Sequence, residues 1–187
     1  MTRRGALGAA LGVPLALGLV LGAVGGWLWW TWWGPPPVGK IYDTTAGPTW
    51  YPMPLDPGIA RDFDGTAMYV VVGAGCGLLL GVVGGWFARH RPLEGLAAVL
   101  LASVAAAALM TVIGVGQSPA DPQDRADEVE IGTKLPGHLH VAGWSPYLVW
   151  PATTLLGYTV LMLSLTSAEG RPEHRPSEPT GSARSVG

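Results

Sequence analysis

Polar and apolar residues separate into long blocks along this chain. Residues 5–39, 65–88, 95–120 and 135–168 form stretches of 35, 24, 26 and 34 residues without one Asp, Glu, Lys or Arg. A soluble domain spreads charge over its whole surface, whereas one membrane-spanning helix needs ~20 predominantly apolar residues in a row. The pattern therefore predicts four spans, over residues 5–33, 66–88, 93–116 and 146–167, with outer loops at 34–65 and 117–145. The first span is roughly 43 Å long as a helix, against a hydrocarbon core of ~30 Å. Its excess lies in Trp27, Trp29, Trp30, Trp32 and Trp33, which suit a headgroup region that keeps the indole ring in lipid and its N–H in water.

Helix punctuation bounds the spans. Pro14 is expected to bend the first, and Asp62 and Asp64 precede the second, where negative charge favours a helix N-terminus. Pro92 and Glu94 open the third, Ser145 and Pro146 form a cap and first-turn pair for the fourth, and Pro151 is expected to kink it. In the first outer loop the stiff Gly34-Pro35-Pro36-Pro37 exit leads to residues 40–43 and 49–53, a hairpin about the turn-prone 44–47. In the second, residues 128–131 and 138–141 flank 132–137 as another pair of strands. The tail at 169–187, rich in Pro, Ser, Gly, Arg and Glu, is expected to be disordered. The fold class is thus an all-α membrane protein, a four-transmembrane-helix bundle with a small extracytoplasmic β-hairpin cap.

Basic residues orient it. With both termini cytoplasmic, Arg3, Arg4, Arg89, Arg91, Arg171, Arg175 and Arg184 lie inside and Lys40, Arg61, Arg125 and Lys134 outside, as the positive-inside rule favours. Trp27, Trp30, Trp33, Trp144 and Trp150 are then the interface anchors on the outer side. Arg3 and Arg4 also fit the start of a signal peptide, but the apolar run that follows far exceeds a ~7–15-residue signal core, so the first helix is expected to stay uncleaved. The expected location is the inner (plasma) membrane of a bacterium, multi-pass.

An internal repeat is the most specific feature. Residues 18–27 align without gaps to 77–86 with eight identities in ten. Gly18, Gly22 and Gly26 in span one, and Gly73, Gly77, Gly81 and Gly85 in span two, recur every four residues. This spacing places them on one helix face, where missing side chains let backbones approach. The expectation is that the two glycine faces pack on one another, related by a pseudo-two-fold axis in the membrane plane.

Chemistry is sparse by comparison. A net charge of -2 and a pI near 6.0 offer no basic stripe for phosphates, which excludes a nucleic-acid partner. The single Cys76 permits no intrachain disulfide, and without Asn there is no glycosylation sequon. No Asp, Glu, Lys, Arg or His lies in the interior of any span, which weighs against ion-coupled transporters, pumps and voltage sensors. Ser103, Thr111, Thr153, Thr154, Tyr158 and Thr159 are expected to bond neighbouring helices or their own backbone. His138 and His140 share a strand face as metal ligands can, although zinc needs three or four ligands and no further one is readable. No cofactor and no catalytic residue is expected.

The layout resembles an actinobacterial family of uncharacterised four-span transmembrane proteins. The likeness rests on the glycine-rich first span ending in Trp33-Gly34-Pro35-Pro36 and on Asp62-Phe63-Asp64-Gly65 leading into span two. It extends to the Trp86 to Arg89 exit and to Gly143-Trp144-Ser145-Pro146 before span four. The resemblance implies topology and a cell-membrane location, and carries over no catalytic residues. The expected role is a non-enzymatic accessory or scaffold component of the cell envelope, with the bilayer and a homo-oligomer or other membrane protein as partners. The alternatives are a small-molecule or lipid transporter or pore subunit, and an extracytoplasmic metal-binding sensor or enzyme using His138 and His140.

Overall fold

The computed structural model describes residues 3–169, without the side chains of 3–10, 55–62 and 168–169. The predicted tail lies outside the described residues, apart from the last residue of the final helix. Element order is α1 (Arg3–Trp33), β1 (Val38–Thr44), β2 (Gly47–Pro52), α2 (Leu55–Ala88), α3 (Pro92–Gly116), β3 (Lys134–Pro136) and α4 (Val149–Glu169). Among the described residues, four segments are long and apolar enough to cross a membrane: Leu11–Trp33, Phe63–Ala88, Pro92–Gly116 and Ser145–Ser167.

Two helix starts depart from expectation. α2 begins at Leu55, well before Thr66, after an extended Pro54 (φ −67°, ψ 154°). Pro57 falls in the first turn, where a missing N–H costs nothing. Asp62 and Asp64 thus lie inside the helix and do not mark its start. A 3₁₀ turn, Ser145–Leu148, precedes α4 at Val149. Pro151 is therefore in the first α-helical turn and need not kink it.

The glycine faces do not meet each other. α1 packs chiefly on α3, and α2 chiefly on α4. A Cβ built on Gly18 would stand 2.9 Å from the Ala102 carbonyl oxygen, one on Gly22 2.7 Å from that of Ala106, and one on Gly26 2.6 Å from that of Met110. Both series rise together by four, so α1 and α3 run parallel in fixed register. In the second pair Gly73 and Gly77 meet Trp150, Gly81 meets the Thr154 carbonyl, and Gly85 meets Tyr158. The repeat is thus used twice, each copy against a later helix, and this replaces the expected face-to-face contact.

Residue size is sorted in the same sense. Ala98, Ala102, Ser103, Ala106, Ala107 and Thr154 are buried, while Leu101, Val104, Val112, Leu156, Val160 and Leu163 point outward. A water-soluble core does the reverse. Small residues inside and large aliphatics outside match helices packed in lipid. Hydroxyls within these apolar helices bond to backbone: Thr154 donates to the Gly77 carbonyl (3.1 Å), Tyr158 to that of Pro92 (2.6 Å) and Tyr69 to that of Ala107 (3.3 Å). Ser103, Thr111 and Thr153 bond carbonyls of their own helices.

The tryptophans divide. Trp29, Trp33 and Trp150 are buried, in one cluster with Tyr69, Val72, Met110 and Leu139. As anchors, Trp33 and Trp150 are therefore corrected: they fill the space that small residues leave between helices. Trp27, Trp32 and Trp144 are exposed, and Trp30 is half-buried against the core. Trp29 sits edge-on to Tyr69 (5.2 Å, 76°), over Gly114, whose missing Cβ leaves room for its ring.

Above the end of the bundle where α1 finishes and α2 starts lies a three-stranded antiparallel sheet of order β2-β1-β3. The first hairpin forms as its sequence predicts, turning at Thr45 and Ala46 with Gly47 at φ +104°, a conformation closed to most side chains. The second hairpin does not form. Residues 128–131 and 138–141 lie outside strands, while Lys134–Pro136 joins the open edge of β1. Further bonds lengthen this edge: Gly132 N–H to the Ile41 carbonyl (2.8 Å) and Gly137 N–H to that of Pro37 (2.6 Å). An unpaired strand edge within reach outcompetes a hairpin internal to the loop.

Candidate binding face on the cap

The 117–144 loop is pinned to both sheet and bundle. Gln123 accepts from the Trp50 N–H (3.1 Å) and donates to the Pro48 carbonyl (3.2 Å), and the Trp50 indole donates to Leu135 (3.1 Å). Leu139 inserts into the buried cluster, with its N–H donated to Ser118 Oγ (2.7 Å). The two histidines flank this plug. His138 is half-buried, with Nδ1 2.8 Å from the Pro119 carbonyl oxygen, and His140 is exposed. Among the described residues no group of three His, Cys, Asp or Glu side chains could hold a metal ion. The pair thus has no third ligand there, and His138 has a structural partner in the loop.

One face of the sheet is covered and the other open. Period-two alternation sends Gly39 and the fully buried Ile41 inward and Val38 and Tyr42 outward, with Lys40 between them half-buried. Tyr51 lies across from Lys40 and touches Tyr42 edge-on at 6.1 Å, while Lys40 Nζ stands 5.6 Å from the Tyr42 ring centre. Lys40 is also directly opposite Lys134 on β3. Beside these lies a cleft of about 530 Å³ lined by Tyr42, Tyr51, Pro52, Met53 and Pro54. A second of about 400 Å³, lined by Val38, Met53, Pro54 and Lys134, adjoins it. A third groove of about 420 Å³ runs between Val104, Thr111, Tyr147 and Pro151 on α3 and α4.

Aromatic rings, a thioether and prolines make the lining a surface for apolar contact, with ammonium groups at its rim. It is equipped for recognition, and its named residues include no nucleophile with an adjacent base. The residues were visible in the sequence as a hairpin but not as a face. Their signal was the alternation at 38, 40 and 42, together with a lysine count of two. Compared with known proteins, the chain matches no family model, no curated protein and no solved structure.

Proposed function

We propose that this chain is a multi-pass protein of a bacterial plasma membrane, with both termini cytoplasmic, acting as a non-enzymatic accessory or scaffold component of the cell envelope. The bundle is its anchor and the cap its recognition surface. The observation that carries the reading is a contrast between the two. The bundle interior is closed by glycine and alanine backbones and by buried Trp29, Tyr69 and Trp150, whereas Tyr42, Tyr51 and Met53 stand half-exposed on a cap pinned by a structured loop. Exposed aromatics and methionine beside an apolar cleft are the composition of protein contact surfaces. The basic-residue balance supports the orientation, and the layout supports membership of the actinobacterial four-span family.

Photo-crosslinking from a probe placed at Tyr51, in native membranes, tests this. One dominant adduct that disappears with Tyr42→Ala is expected. Adducts spread over many abundant proteins, unaffected by that change, would count against a dedicated partner.

A further inference from the structure

Lys40 and Lys134 are the only two lysines of the chain, and the fold sets them directly opposite on β1 and β3. Like charges at paired positions repel, because their side chains leave the sheet on the same side. The cap does not neutralise them internally. Its loops are acidic, yet among the described residues no carboxylate lies within 4.0 Å of either ammonium group; the ion pair found among those residues joins Arg91 to Glu94 at the start of α3. The Tyr42 ring stands beside Lys40, its centre 5.6 Å from the ammonium nitrogen, and touches Tyr51 in turn. Two unneutralised cations held together therefore mark a place for an anion.

The adjoining surface says which kind. Lys134 lines a cleft whose other named residues, Val38, Met53 and Pro54, are apolar, with Val38 50% and Met53 46% exposed. This is also the bundle-proximal end of the sheet: four residues separate Val38 from α1, and two separate Pro52 from α2. An anion with an attached apolar body, arriving from the membrane side, satisfies both halves of the site. Resting on the reading of the cap as the outer end of a membrane protein, we propose that Lys40 and Lys134 bind the phosphodiester of an anionic phospholipid. Its glycerol and upper acyl segment lie on Val38, Met53 and Pro54. Ammonium groups serve as point charges for phosphate oxygens, and anionic lipid surfaces attract such clusters.

The test uses the full chain in neutral detergent, with thermal unfolding followed as phosphatidylglycerol, phosphatidylcholine, inorganic phosphate or poly-glutamate is added. Phosphatidylglycerol should raise the melting temperature by at least about 2 °C, and the other three should not. Lys40→Gln with Lys134→Gln should abolish this gain while leaving the lipid-free protein as stable as the parent or more so, since the repulsion is gone. Lys40→Arg with Lys134→Arg should retain it. An undiminished gain in the glutamine variant overturns the proposal. An equal gain from inorganic phosphate overturns the lipid assignment in favour of a small-anion site, and an equal gain from poly-glutamate overturns it in favour of an acidic protein. Because the assay is in detergent, its failure leaves partner capture from Tyr51 intact, and the two readings fail separately.

Discussion

The indole N–H of Trp29 donates to the carbonyl oxygen of Gly65 at 2.7 Å, joining α1 to α2 inside the bundle, whereas the equally buried indole N–H of Trp150 has no acceptor among the described residues. The two rings carry the same apolar area into the core, so they differ mainly in that bond. Trp29→Phe should lower stability by about 1–3 kcal/mol more than Trp150→Phe, because it removes a buried hydrogen bond and the other does not. Thermal unfolding of both variants in one detergent reads the difference, and equal losses would show the bond to be immaterial.

Glycine requirements should follow the helix pairing and not the sequence repeat as such. A Cβ at Gly22 would press on the Ala106 backbone and one at Gly81 on that of Thr154, while one at Gly75 would meet none of the described residues within 4 Å. Gly22→Ala and Gly81→Ala should each cost about 1–3 kcal/mol by overpacking, and Gly75→Ala should be close to neutral. Size-exclusion chromatography after graded heating separates these outcomes.

Hydroxyls on two consecutive residues of α4 play unequal parts. Thr154 bonds the carbonyl of Gly77 on α2, and Thr153 bonds Val149 on its own helix. Thr154→Val should therefore lose about 0.6–1.7 kcal/mol, in the range of interhelical bonds in membranes, and Thr153→Val less. Chemical unfolding of the two variants provides the comparison.

Orientation has a direct test. Thr45 at the tip of the hairpin and His90 between α2 and α3 are both exposed, at opposite ends of the bundle. In a Cys76→Ala chain, Thr45→Cys should react with an impermeant maleimide in intact cells, and His90→Cys only after permeabilisation. The reverse labelling would place the cap in the cytoplasm.

The sequence made the four apolar helices legible because lipid and helix length act on composition alone, and composition is what a chain displays. The first hairpin was legible for a similar reason, since its turn and its alternation are local. What stayed hidden depends on neighbours distant in the chain. Trp33 and Trp150 read as interface residues because tryptophan suits both a headgroup layer and a void between small side chains, and only packing distinguishes the two. Lys134 reads as an isolated loop cation until β3 finds the edge of β1, a pairing between residues far apart in sequence. Pro54 and Pro57 read as loop residues, although proline is also at home where a helix begins. His138 and His140 read as potential ligands until Leu139, between them, is seen to be the residue that matters for packing.

The pairing of α1 with α3 and of α2 with α4 has a consequence for how the protein is made. Helices emerge from the ribosome in order, and a cut between Ala88 and Pro92 leaves neither half with both members of a glycine-lined pair. The first two helices must wait with those glycine faces unpacked, and the bundle closes only when the last helix arrives. Separately expressed halves should accordingly rescue one another as complementing fragments, since each supplies the surface that the other was built to meet.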